Sequence, residues 1–403
     1  MGFSEQRELD ARYVMPTFAR KPVCFVEGNG MRLTDSEGKD YLDFLAGIGV
    51  CSLGHCHPAV VGAISQQAAK LIHVSNYYYI EQRGEVANIV SDLLNETVPD
   101  GAAPWKSFFA NSGAEANECA MKLARLWSKK HSHGGNVIIT LDGSFHGRTM
   151  ETLAATAQPA KQEAFAPLPE GFVHVAPNNV DALAQAFKDN AGAVCAVLVE
   201  PIQGEGGVHP LTPEYLQACY NLAHANGALL ICDEVQTGIF RTGKPFGFQH
   251  AGVVPDIVSI AKGIASGMPM GMCAARSAVA DSFEPGDHGS TFGGSNLAVA
   301  AAHATLRTII DEGFAERVTE VGAYLAERLA ALPHIAEVRG AGLMLGAELD
   351  DSLAAPDVVM RGLEAGLVLN ATGPTTLRFL PPLICTKEDV DELASKLAGV
   401  LAE

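Results

Sequence analysis

Five short apolar runs in the middle of the chain leave little choice of fold: "NVIITL" from Asn136, "AVCAVLV" from Ala193, "ALLIC" from Ala228, "DIVSIA" from Asp256 and "GMCAA" from Gly271. Their hydrophobicity is continuous rather than alternating, so both faces of each strand need cover. Helix-like segments such as "TPEYLQACYNLAHANG" separate several of them. That order predicts an α/β architecture with a mostly parallel central sheet between helices. Polar residues gather at the C-terminal ends of the runs, as "DGSFHGR", "EPIQGEGG", "DEVQTG" and "KG". Ligands of open α/β sheets bind outside those ends.

The two ends of the chain read differently. Residues 1–65 carry turn-rich, strand-like pieces, and from about 310 onward helical and strand-like stretches alternate. The expected division is a large domain over 66–310 and a smaller one assembled from 1–65 and 311–403.

Charge narrows the partners. With 28 basic and 46 acidic residues the net charge is −18, a field that repels nucleic-acid phosphates and anionic lipid heads, so neither nucleic acid nor a membrane surface is expected as a partner. No stretch approaches the roughly 20 apolar residues of a membrane helix. The nine cysteines are scattered and several lie inside apolar runs, which fits reduced core residues of a cytoplasmic protein.

The stretch "GALLICDEVQTG" ends an apolar run on two carboxylates, Asp233 and Glu234, with no cation near them in sequence. A carboxylate taken out of water needs a partner. Lys262 follows the next buried run, so a parallel sheet places it at the same edge as Asp233. A structural ion pair would explain two such residues. Pyridoxal 5'-phosphate would explain them as well, since it needs a lysine to bind its aldehyde and a carboxylate to hold its ring nitrogen protonated. The turn Ser112-Gly113-Ala114 opens a helix whose free amides suit a phosphate, although an N-cap serine is also ordinary helix punctuation. Phe145 in "DGSFHGRT" is either a core residue or a ring that stacks on the cofactor.

Taken together, "FFANSGAEANE", "SFHGRT", "EPIQGEGG", "DEVQTG", "SIAKG" and "STFGG" resemble, in order and spacing, the class III pyridoxal-phosphate aminotransferases over nearly the whole chain. The resemblance implies a fold type I transferase. It makes Lys262 the Schiff-base lysine, Asp233 the ring-nitrogen partner and Gln236 a neighbour of the ring hydroxyl. Ser112, Gly113 and Ala114 then hold the phosphate, with Phe145 and Val235 on opposite ring faces. Thr291 reaches the phosphate of the partner subunit in a homodimer with shared sites. One departure stands out: family members usually show Asn-Pro after "FGG", where this chain reads "FGGSNLA".

"YLDFLAGIGVCSLGHCHPAVV" and "HVSNYYY" extend the resemblance toward members that move the δ-amino group of N-acetylornithine to 2-oxoglutarate, giving glutamate. Members acting on ornithine, succinylornithine or 4-aminobutyrate are close relatives. Such substrates carry carboxylates, which a guanidinium binds bidentately. Arg148 and Arg378 are the candidates, and each alone could be a structural arginine. By resemblance Arg148 holds a substrate carboxylate, and Arg378 binds the α-carboxylate of glutamate and is masked by Glu205 when an ω-amine enters. Ser290, Asn76 and Tyr77 are candidates for the pocket wall.

Two other readings compete. "GHCHP", at His55, Cys56 and His57, raises a metal-dependent hydrolase, but ligands that close in sequence converge poorly on one ion, and no metal is expected. "GAGLMLG" from Gly340 raises a dinucleotide site, yet no strand–helix–strand unit follows it; glycines in a tight strand explain it better.

Overall fold

The computed structural model describes residues 2–98 and 103–402. Its centre is a sheet of seven strands: β1 (Trp105–Ala110), β2 (Val137–Leu141), β3 (Phe172–Val175), β4 (Val194–Val199), β5 (Leu229–Asp233), β6 (Ile257–Ile260) and β7 (Gly271–Arg276). The strands lie in the order β1-β7-β6-β5-β4-β2-β3. The pairings through β6, β5, β4, β2 and β3 are all parallel, whereas β7 runs antiparallel to both β6 and β1. All five apolar runs are strands of this sheet. The sequence reading did not include β1 and β3, whose residues are covered less evenly than those of β4, β5 and β6.

Alternation along each central strand feeds two separate cores, because successive side chains point to opposite faces. Leu229 and Ile231 of β5 pack with Ala196 and Leu198 of β4 on one face. Leu230 and Cys232 pack with Val197 and Val199 on the other. The helix Gly113–His131 covers the first face through Cys119, Ala120, Leu123 and Ala124, a spacing of three and four that makes one apolar stripe. The helix Pro213–Ala225 contributes Tyr215, Leu216, Cys219 and Ala223 to the second face. Thr212 caps it by accepting the Tyr215 amide at 3.1 Å, and Pro213 stands in the first turn, where no amide donor is needed. Each buried leucine or isoleucine contributes about 1.5–3 kcal/mol, so the two-sided core dominates the stability.

The chain termini build further sheets. Strands Phe25–Asn29, Arg32–Asp35 and Asp40–Asp43 form an antiparallel meander, and Leu367–Val368 adds to its edge in parallel with Leu367 opposite Leu42. Strands Ile335–Ala341, Met344–Leu349, Thr376–Phe379 and Asn370–Ala371 make an antiparallel sheet. "GAGLMLG" is the hairpin between the first two of these, with Gly340 and Gly342 at φ 122° and 53°, which favours glycine.

Candidate active site

A cavity of about 450 Å³ opens at the C-terminal edge of β5 and β6, against the N-terminus of the helix Gly113–His131. Its wall includes Ser112, Gly113, Ala114, Phe145, Arg148, Glu205, Asp233, Val235, Gln236 and Lys262. Ten residues spread over 150 positions of sequence therefore meet in one place.

Asp233 is the last residue of β5 and is buried. Its Oδ2 accepts from Asn117 Nδ2 at 2.7 Å and faces His146 Nδ1 at 2.8 Å; its Oδ1 accepts the Val235 amide at 3.0 Å. A carboxylate can only accept here, so His146 carries its proton on Nδ1. Asn117 also donates to the His146 carbonyl at 2.8 Å, which locks the two together. Neither partner was singled out in the sequence, although both lie inside the quoted motifs: His146 follows Phe145, and Asn117 sits one turn beyond Ser112.

Glu234 turns the other way and takes no part in the cavity. It accepts the amides of Gly247 at 2.7 Å and Phe248 at 2.8 Å and the Thr237 hydroxyl at 2.5 Å. Burial pushes its carboxyl up to about 7 against those hydrogen bonds. The two adjacent carboxylates thus have different work: one faces the cavity, the other pins the loop that carries Val235 and Gln236 into it.

Lys262 follows β6 with φ 48°. Burial pushes its ammonium down to about 8, although Glu205, Asp233 and Glu200 pull the other way. Glu200, at the end of β4, holds the neighbouring backbone by accepting the Phe145 amide at 2.8 Å and the Gly204 amide at 3.0 Å. Burial raises its carboxyl to about 7. It is a third residue that the sequence reading passed over.

The amides of Gly113 and Ala114 are the first two of a helix of 19 residues and have no acceptor within it. Ser112 caps that helix, its hydroxyl accepting the Glu115 amide at 3.2 Å. A Cβ on Gly113 would meet Val235 Cγ1 at 2.8 Å, so the residue has to be glycine for the cradle to close on Val235. Phe145 stands on the wall with the Arg148 guanidinium 5.5 Å from its ring centroid.

Arg378, buried in the strand Thr376–Phe379, donates from Nη1 to Glu205 Oε1 at 2.5 Å and to Gln236 Oε1 at 3.1 Å. Its Nε and Nη2 both reach Asn370 Oδ1, at 3.1 and 2.7 Å, across the register that places Asn370 opposite Arg378. Burial pushes the Glu205 carboxyl up, but Arg378 and Lys262 outweigh it and hold the group below the usual carboxylate range.

Thr291, Ser290, Asn76 and Tyr77 lie off this wall. Asn76 Nδ2 donates to the Ser290 carbonyl at 2.9 Å and the Gly293 carbonyl at 3.1 Å, stitching two segments into one surface on which Thr291, Tyr77 and Phe292 are exposed. Ser290 Oγ accepts from Asn111 Nδ2 at 3.2 Å, which ties that surface to the cavity rim. His55 of "GHCHP" pairs with buried Asp43 at 2.7 Å, and among the described residues no group of three or more His, Cys, Asp or Glu is arranged to hold a metal ion.

The profile of the Aminotransferase class-III family matches residues 14–401. An acetylornithine aminotransferase of Caldanaerobacter subterraneus is 48% identical over 399 residues, 98% of each chain. One from Methanocaldococcus jannaschii is 45% identical over 401 residues, again 98% of each. Among solved structures, the ornithine aminotransferase of Toxoplasma gondii superposes with a TM-score of 0.92 at 33% identity, covering 100% of this chain and 95% of that one. The acetylornithine aminotransferase of Elizabethkingia anophelis gives 0.85 at 31% identity, covering 100% and 99%. The architecture is that of fold type I pyridoxal-phosphate-dependent transferases. On a match that runs over residues 14–401 and relatives aligned over 98% of its length, the chain belongs to the class III aminotransferases.

Proposed function

We propose that the protein moves the δ-amino group of N-acetylornithine to 2-oxoglutarate with pyridoxal 5'-phosphate as cofactor. The observation that carries this reading is Glu205, which lines one cavity with Lys262 and Asp233 and is held from behind by the buried guanidinium of Arg378, in a chain whose curated relatives are acetylornithine aminotransferases. The residues fit the cofactor: helix amides for a phosphate, a glycine cradle closed by Val235, and a buried aspartate for a cationic ring nitrogen. Bound there, the cofactor supplies an electrophilic aldehyde and an electron-withdrawing ring that let nitrogen leave one carbon for another.

The chain's own residues do the rest. Lys262, with its ammonium pushed down to about 8, has an appreciable free-amine fraction near neutral pH and serves as both covalent anchor and proton carrier. Asp233 would hold a positive charge at the ring nitrogen, and His146 and Asn117 orient its Oδ2. Phe145, Val235 and Gln236 line the cavity, where the first two would confine the ring and the third would serve its hydroxyl. Arg148 receives the carboxylate remote from the reacting carbon. Arg378 receives an α-carboxylate when Glu205 swings away; with Glu205 in place, the pocket is neutral there and admits an ω-amine.

The same reading takes the protein as a homodimer in which Thr291 reaches the phosphate of the neighbouring site. The exposed surface of Thr291, Phe292 and Tyr77 supports it, Phe292 being 61% and Tyr77 93% exposed. Sedimentation at micromolar concentration tests it; a fully active monomer would exclude it. The division into 66–310 and a unit from both termini belongs to the proposal too, supported by the pairing of Leu367–Val368 with Asp40–Asp43. So does a cytoplasmic location, supported by nine unpaired cysteines. Among the described residues no helix is long and apolar enough to cross a membrane.

Initial rates with N-acetylornithine, N-succinylornithine, ornithine and 4-aminobutyrate, each against 2-oxoglutarate, decide the substrate. A higher kcat/KM for ornithine or 4-aminobutyrate than for N-acetylornithine overturns the donor while leaving the aminotransferase chemistry standing.

A further inference from the structure

The N–H groups of Arg378 can be assigned one by one, because a guanidinium only donates. Nε and one hydrogen of Nη2 go to Asn370 Oδ1, at 3.1 and 2.7 Å. The hydrogens of Nη1 go to Glu205 Oε1 at 2.5 Å and Gln236 Oε1 at 3.1 Å. The remaining hydrogen of Nη2 has no acceptor among the described residues. Glu205 therefore holds the guanidinium through one nitrogen, and the edge formed by Nη1 and Nη2 is only half used. Glu205 and Gln236 line the cavity, and the guanidinium behind them is 1% exposed. A carboxylate that takes the place of Glu205 meets this edge and can close on both nitrogens, gaining a hydrogen bond that Glu205 does not make.

Asn370 is what leaves that edge open. It stands opposite Arg378 in antiparallel register, so the two side chains rise from the same face of the C-terminal sheet. A partner that cannot accept fixes the asparagine amide with its oxygen toward the arginine. By engaging Nε and Nη2 with one atom, Asn370 keeps the guanidinium from turning after Glu205 when that side chain leaves. Its oxygen is also neutral. An aspartate would hold the same edge but cancel the charge that an incoming carboxylate needs, and an alanine would keep the charge but free the group to turn.

We infer that Asn370 is a positioning residue for carboxylate exchange at Arg378: its neutral oxygen occupies the Nε–Nη2 edge, so that the Nη1–Nη2 edge stays fixed toward Glu205 and open to a bidentate replacement. This rests on the reading that the α-carboxylate of glutamate displaces Glu205 from Arg378. The exchange then needs the glutamate side chain to move and the arginine to stay.

The test measures the two half-reactions at rising substrate in wild type, Asn370→Ala, Asn370→Asp and Arg378→Lys. In Asn370→Ala the ratio of kcat/KM for glutamate to kcat/KM for N-acetylornithine is expected to fall about tenfold, the scale of one hydrogen bond to a charged group, and to do so through KM for glutamate. Asn370→Asp is isosteric and keeps the acceptor, yet it should lower the ratio at least as far, since its charge repels the incoming carboxylate. A merely structural asparagine would lower both half-reactions together. An unchanged ratio in Asn370→Ala, a fall through kcat alone, or a wild-type ratio in Asn370→Asp would each overturn the proposal. Arg378→Lys separates the two readings: a lower ratio there with unchanged ratios in both Asn370 variants removes Asn370 alone, whereas an unchanged ratio there removes the carboxylate reading of Arg378 and the role of Asn370 with it. Whichever ω-amine the initial rates select takes the place of N-acetylornithine in the comparison.

Discussion

Arg378 and Glu205 meet at 2.5 Å, the arginine 1% exposed and the glutamate 28%. The arginine is fixed from behind by Asn370, on a strand of the C-terminal sheet, whereas the glutamate stands in the glycine-bordered loop "GEGG" after β4. The less constrained partner is therefore the one that can move. Removing its charge should change which carboxylate the buried guanidinium accepts.

Glu205→Gln leaves Arg378 without its counter-charge. Single-turnover rates of the two half-reactions should diverge: glutamate is expected to gain about threefold or more in kcat/KM, and N-acetylornithine to lose about tenfold, the scale of one charged hydrogen bond. Parallel changes in both half-reactions would assign Glu205 a structural role.

Lys262→Ala should leave no site for covalent capture. Protein incubated with pyridoxal phosphate, reduced with borohydride and denatured should keep its label in wild type and lose it in the variant. Because burial pushes the Lys262 ammonium down to about 8, labelling of the wild type should rise as pH passes through about 8. An unperturbed lysine would rise only near 10.4. A label that survives in Lys262→Ala would put the anchor elsewhere.

Gly113→Ala places a methyl 2.8 Å from Val235 Cγ1 and 3.0 Å from its Cγ2, inside contact distance. The phosphate cradle and the side chain beside it cannot both stay in place. Cofactor dissociation, followed by loss of visible absorbance, should accelerate by about tenfold or more, the result of about 1–3 kcal/mol of overpacking. Val235→Ala in the same chain should restore part of the affinity. No recovery in the double variant would show that the contact is not the cause.

Glu234→Gln converts one acceptor oxygen into a donor facing the amides of Gly247 and Phe248 and the Thr237 hydroxyl. The variant should lose about 1–3 kcal/mol in urea unfolding at low pH. Burial holds the native carboxyl at about 7, above its unfolded value, so the folded state binds the extra proton between those values. The contribution is complete below the unfolded value and lost as pH rises through about 7. The gap between wild type and variant should narrow across that window; a gap that widens with pH would mean that the carboxylate form is the stabilising one.

The central sheet is legible in the chain alone, because a run such as "AVCAVLV" can be satisfied only by cover on both faces, and that requirement is local. So are the candidates that end those runs, since Asp233 and Lys262 occupy the same edge of any parallel sheet. Spacing could not say that adjacent Asp233 and Glu234 point to different partners, because residues on either side of a strand end diverge by geometry that depends on the following loop. The roles of Asn117, His146 and Glu200 depend on which side chains meet across three segments, and each residue type alone is ordinary. Arg378 owes its place to a strand in another sheet, paired with Asn370, and its contact with Glu205 spans 173 positions. Such contacts are decided by how the sheets pack, which is a property of total buried area and shape rather than of any local pattern.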